Sequence, residues 1–298
     1  MRNLGEVGVW TFALDRQPTA KVRETAAEIE ELGYGALWFG EAFGRDTVSQ
    51  AWITLSATTR LVVAAGIANI AFRDPISMAA AERAVNEAFP DRYVLGLGGH
   101  RVSDEPIVME GYVVPSRGRA VRTMGAYLGA MDAVPLESPP PAAPPRRVLA
   151  ALGPKMLALA AERTMGAHPY FVPVEHTRMA RQVMGPEAFL AVEQAVVLDT
   201  DVARARALAT EHVGFYSAAA PHQIASLRRL GFDDADLTGP SRRLVDAIVA
   251  YGDAEVIGKR VREHLDAGAD HVCLQVLTAD PATPPLREWR ELAHLARP

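Results

Sequence analysis

The sequence contains a single cysteine, Cys273, so no intramolecular disulfide can form. Its apolar neighbours indicate a packed core thiol rather than a nucleophile. No apolar run approaches the roughly 18 residues of a membrane span, and the opening residues MRNLGEVGVW lack the apolar core of a signal peptide. The 31 basic residues are outnumbered by 36 acidic ones, which leaves no basic surplus for nucleic acid. We therefore expect a cytoplasmic protein that binds neither nucleic acid nor a membrane.

Three further kinds of site are missing. No HxH, HxxxH or CxxC pair occurs, so we expect no metal site. No GxSxG occurs, so the sequence contains no nucleophile elbow of that pattern. The glycines 96, 98 and 99 do not form a dinucleotide fingerprint, because the third glycine position falls on Arg101 and residues 104–106 interrupt any immediate helix.

The sequence does contain a regular alternation of short apolar runs and helix-like stretches, and with 49% hydrophobic residues it can bury a large core. A parallel barrel with an outer ring of helices fits this alternation better than an open doubly wound sheet. The proline-rich segment 138–145, SPPPAAPP, does not interrupt the alternation, so we interpret it as a surface connection within a single domain, residues 1–298. The predicted strands are residues 6–10, 36–40, 61–70, 93–97, 148–152, 166–172, 194–198 and 270–277. Residues 242–251 are predicted to be helical, and Asp74 is predicted to cap a helix that has Pro75 at its first position.

The stretch from residue 146 to 172, RRVLAALGPKMLALAAERTMGAHPYFV, has the most specific pattern. A buried strand is followed by a turn at Gly153 and by a helix whose first residue is Pro154. The unpaired N–H groups of the first helical turn, the helix dipole and the Lys155 ammonium together favour a bound phosphate. The alternative is that Gly153 and Pro154 form only a tight strand-to-helix turn.

Functional groups of a parallel barrel lie at the carboxyl ends of its strands, and this rule selects several polar residues. Glu41 follows strand two and is a candidate acid or base, although a solvated or helix-capping carboxylate fits equally well. His100 follows the glycines of strand four and is the best titrating candidate. His168 is either a hydrogen-bonded core histidine or a substrate ligand. Gln275 near strand eight is a further candidate. We expect His100, His168 and Tyr170 to line the substrate pocket, with the helical segment around residues 215–222 as another wall.

Five stretches resemble the luciferase-like monooxygenase superfamily, in particular its coenzyme F420-dependent oxidoreductase branch. They are LWFGEAFGRD, LVVAAGIANIAFRDP, RYVLGLGG, VLAALGPKMLALAAERTMGAHPYFVPVEHT and GADHVCLQVL. The resemblance covers essentially the whole chain and is weakest over residues 100–145. It implies a (β/α)8 TIM barrel of the bacterial luciferase-like type, with insertions, that binds a deazaflavin at its carboxyl face. Because such proteins often form dimers, we expect a homodimer.

The resemblance also implies which residues hold the cofactor. In that family a non-prolyl cis peptide in the strand-three bulge lies behind the deazaflavin ring, and the matching positions are Ala68 and Asn69. The family binds the cofactor phosphate at the strand-five turn, which agrees with the phosphate site argued above. The predicted cofactor-binding residues are Glu41, Ala68, Asn69, Gly98, Gly99, Leu152, Gly153, Pro154, Lys155 and Met156.

The sequence also departs from part of the family. Its sugar-phosphate dehydrogenases carry a histidine after the acidic residue that ends strand two and a glutamate shortly after the strand-four glycines. This chain has Ala42 at the first position and His100 and Arg101 at the second, so sugar-phosphate oxidation is disfavoured. The leading hypothesis is hydride transfer between F420 and an unidentified small organic substrate, with His100 or solvent delivering the proton. The alternatives are a reduced-FMN-dependent flavin monooxygenase and a non-catalytic F420-binding protein.

Overall fold

The computed structural model describes residues 4–99, 107–109, 112–114 and 120–297. Within these ranges the chain alternates between strands and helices over most of its length. The strands are β1 (Val7–Trp10), β2 (Ala36–Phe39), β3 (Val62–Ala65), β4 (Ala68–Asn69), β5 (Tyr93–Gly98), β6 (Ile107–Met109), β7 (Tyr112–Val114), β8 (Arg146–Leu149), β9 (Gly166–Ala167), β10 (Phe189–Leu198), β11 (Val249–Gly252) and β12 (His271–Val276).

Eight of these strands close into a parallel barrel, which confirms the predicted (β/α)8 TIM barrel. Their order is β1, β2, β3, β5, β8, β9, β10 and β12, and β12 pairs with β1 to complete the ring. Strands such as ALWF and VVAA are apolar throughout because a parallel barrel is covered on both faces. The short β4 continues β3 after a break and pairs with β5, whereas β6 and β7 form a separate antiparallel hairpin.

Helices surround the barrel, and none in the described ranges is long and apolar enough to cross a membrane. They are α1 (Thr19–Glu31), α2 (Thr47–Leu55), α3 (Pro75–Ala88), α4 (Ala120–Ala133), α5 (Pro154–Arg163), α6 (Val174–Met184), α7 (Val202–Ala219), α8 (Pro221–Arg229), α9 (Asp234–Leu237), α10 (Arg242–Ile248), α11 (Ala254–Asp266) and α12 (Leu286–Leu292). Side chains that cap the free backbone N–H groups fix the first residue of several of these helices. The Asp74 carboxylate, for example, accepts hydrogen bonds from Ile76 N and Ser77 N at the start of α3, as its position before Pro75 predicts.

Several predicted boundaries are wrong, and three of them affect the carboxyl half of the barrel. The strand predicted over residues 166–172 pairs only at Gly166–Ala167, because prolines at 169 and 173 have no N–H group to donate to a ladder. The seventh strand begins at Phe189 rather than at 194, since two buried polar residues, Glu193 and Gln194, interrupt its apolar pattern. The helix predicted over residues 242–251 ends at Ile248, and β11 follows it directly and pairs with β10.

The helices α7 to α10, residues 202–248, form a lobe that packs on the sheet through a hydrophobic cluster shared with β10 and β11. Its centre contains Ala205, Val213, Leu227 and Leu244, all buried. Phe171, from the loop after β9, packs into the same cluster and joins the lobe to the carboxyl end of the barrel. The lobe therefore stands beside the edge at which a parallel barrel carries its functional groups.

Candidate functional site

A cavity of about 750 Å³ lies at the carboxyl ends of the barrel strands. Most of the residues predicted from the sequence line it, although they come from five separate loops and turns. They are Glu41, Asn69, Gly98, Gly99, Leu152, Gly153, Pro154, Lys155, Met156, His168 and Tyr170. Ala68 is fully buried in β4 and is not part of the cavity wall. His100 lies outside the described residues.

One end of the cavity is formed by the turn between β8 and α5. Gly153 is the residue before the first helical position, and no side chain caps the helix there. Pro154 has no N–H group and Met156 N donates to Gly153 O at 3.0 Å, so the N–H group of Lys155 is the one in the first helical turn that can receive an anion. Lys155 is exposed beside it and forms no ion pair within the described part of the chain.

A second cation at this turn could not be predicted from the sequence. Arg229, the last residue of α8, places its Nη2 atom 3.4 Å from the carbonyl oxygen of Leu152. The same guanidinium lies 3.7 Å from the position of a Cβ built on Gly153. His176 donates to the same Leu152 oxygen from α6, at 3.0 Å. The helix dipole, Lys155 and Arg229 therefore direct positive charge to one place.

The carboxylate of Glu41 is held entirely by other groups of the chain. Its oxygens accept hydrogen bonds from Thr47 N at 3.1 Å, Asn69 N at 2.9 Å and Arg73 Nη1 at 2.7 Å. Arg73 makes a second contact with Glu41 and also pairs with Asp46. These contacts hold the pKa of the Arg73 guanidinium above its ordinary value, chiefly through the hydrogen bonds to Glu41. Glu41 thus ties the loop after β2 to the backbone of β4.

The cis peptide expected at Ala68 and Asn69 lies instead between Gly66 and Ile67. This corrects the prediction, because the chain leaves β3 after Ala65 and resumes strand pairing only at Ala68. A Cβ at Gly66 would lie 2.8 Å from both His168 Nε2 and Trp10 Nε1. The absence of a side chain at Gly66 therefore keeps the floor of the cavity open.

His168 is buried at this floor. Its ring stacks on Trp38 with a centroid distance of 4.5 Å, and its Nδ1 lies 2.9 Å from the carbonyl oxygen of Ala191. Burial lowers the pKa of His168 to about 4, so the imidazole is neutral at pH 7. Its Nε2 has no hydrogen-bond partner among the described residues.

Tyr170 forms the wall beside His168. Its hydroxyl donates to Gln275 Oε1 at 2.8 Å and lies 2.8 Å from the hydroxyl of Tyr216, which comes from α7. The Tyr170 ring packs against Trp10 with a centroid distance of 5.1 Å. Burial raises the pKa of Tyr170 well above its ordinary value, so the hydroxyl keeps its proton. Tyr216 lies in the segment 215–222, which the sequence predicts as a wall of the pocket, and Gln275 lies near the end of strand eight as predicted.

Glu193 is a buried carboxyl group that the sequence did not reveal as ionisable or functional. It lies on β10, beside Cys273 of β12 in the strand register. One of its oxygens accepts a hydrogen bond from Phe171 N at 2.9 Å, and burial raises the pKa of Glu193 to about 8. In the part of the chain that the structure describes, no three His, Cys, Asp or Glu residues lie close enough to hold a metal ion.

Solved structures with the same fold are similar over nearly the whole chain. An F420-dependent secondary alcohol dehydrogenase in complex with an F420-acetone adduct has a TM-score of 0.74 at 14% identity, covering 98% of each chain. Coenzyme F420-dependent tetrahydromethanopterin reductase from Methanopyrus kandleri has a TM-score of 0.72 at 16% identity, covering 99% of this chain and 98% of that one.

A flavin enzyme is similar to almost the same degree. The oxygenating constituent of 3,6-diketocamphane monooxygenase from Pseudomonas putida, in complex with FMN, has a TM-score of 0.68 at 14% identity, covering 98% of this chain and 97% of that one. No curated protein matches the sequence. A family model described as luciferase-like monooxygenase matches residues 6–271, and the chain therefore belongs to the luciferase-like monooxygenase family.

Proposed function

We propose that the chain is an oxidoreductase that transfers a hydride between coenzyme F420 and a small organic substrate. The observation that carries this proposal is the positive turn at one end of the cavity. There the N-terminus of α5, Lys155 and Arg229 converge on a space that a phosphate group can fill. Two of the structurally similar proteins are described as F420-dependent, which supports the choice of a deazaflavin.

The residues present fit such a cofactor. Gly153 lacks a side chain at the phosphate turn, and Gly66 and Gly98 lack one at the cavity floor, where a Cβ on Gly98 would meet Ile67 at 2.7 Å. We propose that the phosphate is bound by residues 152–156 and Arg229. Asn69, Gly98 and Gly99 would lie against the ring system, with Ala68 supporting Asn69 from within β4. When bound, a deazaflavin supplies the ring carbon that gives or takes the hydride.

The other residues of the cavity bind, orient and exclude water. Glu41, proposed from the sequence as an acid or base, has its oxygens engaged by Arg73, Asn69 N and Thr47 N. We therefore propose that it positions Asn69 rather than moving a proton. Tyr170 and His168 line the substrate end, and no charged side chain accompanies them there among the described residues, which favours a neutral substrate. His100 stays our proposed proton donor, and the homodimer and cytoplasmic location stay predictions.

A reduced-FMN-dependent monooxygenase is the second candidate. The same turn can hold the phosphate of FMN, and the FMN complex of the camphane monooxygenase has the same fold. A non-catalytic F420-binding protein is the third candidate, because the sequence lacks the histidine and glutamate of the sugar-phosphate dehydrogenases.

Titration of the purified protein with F420 and, separately, with FMN tests the proposal. We expect the quenching of F420 fluorescence to saturate during the titration. The Kd for F420 should be at least about tenfold lower than the Kd for FMN, which corresponds to one well-made interaction. Binding of FMN alone would overturn the F420 assignment in favour of the monooxygenase. Oxidation of reduced F420 is then followed against a panel of enones, imines and nitroaromatics. Tight binding with no turnover on any of them favours the binding protein.

A further inference from the structure

His168 has a buried nitrogen that the folded chain leaves without a partner. The side chain is 1% exposed, and its Nε2 atom accepts no hydrogen bond from any described residue. His168 and Gly66 both line the cavity, and Nε2 lies 2.8 Å from the position that a Cβ on Gly66 would occupy. A buried polar atom without a partner is unusual in folded proteins and points to a missing ligand group.

The protonation of the ring is set by its other nitrogen. The carbonyl oxygen of Ala191, 2.9 Å from Nδ1, can only accept a hydrogen bond, so Nδ1 carries the hydrogen. Burial keeps the imidazole neutral, as its lowered pKa indicates. Nε2 therefore carries a lone pair and can only accept a hydrogen bond.

Neighbouring side chains hold the ring in this orientation. His168 stacks on Trp38, whose indole N–H donates to His271 Nε2 at 3.0 Å. His271 in turn donates from Nδ1 to the carbonyl oxygen of Gly5 at 2.7 Å. Trp10 Nε1 lies at the same floor, but its N–H already donates to the carbonyl oxygen of Gly66. The indole N–H groups of Trp38 and Trp10 are thus both engaged elsewhere and do not donate to His168 Nε2.

We propose that His168 Nε2 accepts a hydrogen bond from the molecule that fills the cavity, and so selects a ligand that presents an N–H or O–H group at this floor. The inference rests on the proposed function, which supplies two sources for that group. One is the imide N–H of a deazaflavin or flavin ring, and the other is a hydroxyl or amine of the substrate. A ketone, ether or carboxylate carries only acceptors and would leave Nε2 unpaired.

The imidazole nitrogens can be observed directly by NMR of protein labelled with 15N-histidine. The chain has eight histidines, and comparison with the spectrum of His168→Asn assigns the signals of His168. Without ligand we expect hydrogen at Nδ1 and none at Nε2. A ligand that donates a hydrogen bond moves the Nε2 signal upfield and leaves Nδ1 protonated.

The two sources are separated by matched probes. F420, FMN and N3-methyl-FMN, which lacks the imide hydrogen, are added first. If the cofactor is the donor, F420 or FMN moves the Nε2 signal and N3-methyl-FMN does not. If the substrate is the donor, the signal moves only when isopropanol, and not acetone, is added to the cofactor complex.

Two variants give an independent readout by affinity. The amide nitrogen of His168→Asn can still donate to Ala191 O, but the variant has no acceptor at the Nε2 position. We expect its Kd for the ligand that moves the signal to rise about tenfold, while its Kd for the matched probe without the hydrogen stays unchanged. His264→Asn is the control, because both nitrogens of His264 already have partners in the chain and it does not line the cavity.

Three results would overturn the inference. They are a hydrogen on Nε2 in the free protein, a cofactor complex in which no probe moves the Nε2 signal, and equal loss of affinity for probes with and without the hydrogen. If neither F420 nor FMN binds, the proposed function itself fails and the inference falls with it. Binding of F420 with an Nε2 signal that stays unchanged with every probe, isopropanol included, overturns the inference alone.

Discussion

Arg229 and Gly153 meet across the end of the cavity, although they are far apart in the sequence. The Arg229 guanidinium lies 3.7 Å from the Cβ position of Gly153, and it donates to the carbonyl oxygen of Leu152. A cation from the α7–α10 lobe thus stands over a helix N-terminus that belongs to the barrel. This pairing places positive charge on both sides of the proposed phosphate.

Removal of either cation should weaken cofactor binding. We expect Lys155→Ala and Arg229→Ala each to raise the Kd for F420 about tenfold, because each removes one charge-assisted contact to the phosphate. The loss of affinity should be larger at low salt, because salt then screens the attraction between the cation and the phosphate less. Lys259→Ala is the control, since Lys259 is exposed on α11 and lies outside the cavity wall. Unchanged affinity in both variants would place the phosphate elsewhere.

A bulky side chain at Gly153 should block the phosphate turn without unfolding the protein. A Cβ at this position meets nothing closer than 3.7 Å, so the barrel can accept Gly153→Leu, while the rest of the leucine side chain fills the anion site. We expect no measurable F420 binding and an unchanged far-UV circular dichroism spectrum. Gly129→Leu is the matched control, because a Cβ there meets no atom within 4 Å. Retained affinity in Gly153→Leu contradicts the assignment.

The Arg73 and Glu41 pair should contribute to stability more than a surface pair does. The Glu41 side chain is only 4% exposed, so Arg73→Met leaves a buried carboxylate without its cation. We expect the free energy of unfolding in urea to fall by about 3 kcal/mol, with partial recovery in Arg73→Met/Glu41→Gln. Arg204→Met breaks an exposed pair with Asp199 and should cost far less. An equal fall in the free energy of unfolding for Arg73→Met and Arg204→Met would show that the buried Glu41 carboxylate does not depend on Arg73.

The positioning role of Glu41 predicts a specific kinetic pattern. Glu41→Gln keeps an amide oxygen that can accept from Asn69 N, but it removes the charge. If Glu41 acts through Asn69, we expect weaker cofactor binding with an unchanged pH profile of turnover. Loss of one limb of that profile would identify Glu41 as an acid or base instead.

Glu193 should make stability fall as the pH rises. Its pKa in the folded protein is about 8, above the ordinary value of 4.5, so the folded state keeps a proton that the unfolded state releases. Its contribution is therefore complete below pH 4.5 and declines until the pH passes 8. Between pH 6.5 and 8 we expect the free energy of unfolding to fall by about 1 to 2 kcal/mol. In denaturant titrations, the free energy of unfolding of Glu193→Gln should change less with pH than that of the wild type. The same change in both proteins would contradict the buried, protonated carboxyl group.

Features with a local cause could be predicted from the sequence. The turn at Gly153 and Pro154 was identified because a strand, a turn and a helix start follow one another within ten residues. The Asp74 cap was identified in the same way. The barrel followed from the repetition of such units along the chain.

Features that join distant segments could not be predicted in this way. Arg73 meets Glu41 across 32 positions, and Arg229 meets Leu152 across 77, with no periodicity to indicate either contact. The cis peptide was misplaced by two residues because the apolar run of 61–70 gives no sign of where strand pairing breaks. β11 was missed because neither glycine nor proline separates Ile248 from Val249.

The way in which the α7–α10 lobe packs on the barrel has a consequence for how the cavity can be altered by substitution. Tyr216 and Arg229 both lie on the lobe, whereas Gly153, His168 and Gln275 belong to the barrel. The buried centre of the lobe is shared with β10 and β11, whereas Tyr216 is only partly buried against it and Arg229 is exposed. We therefore expect that substitutions at Tyr216 which keep this shared centre and Arg229 reshape one wall of the cavity and leave the proposed phosphate turn intact.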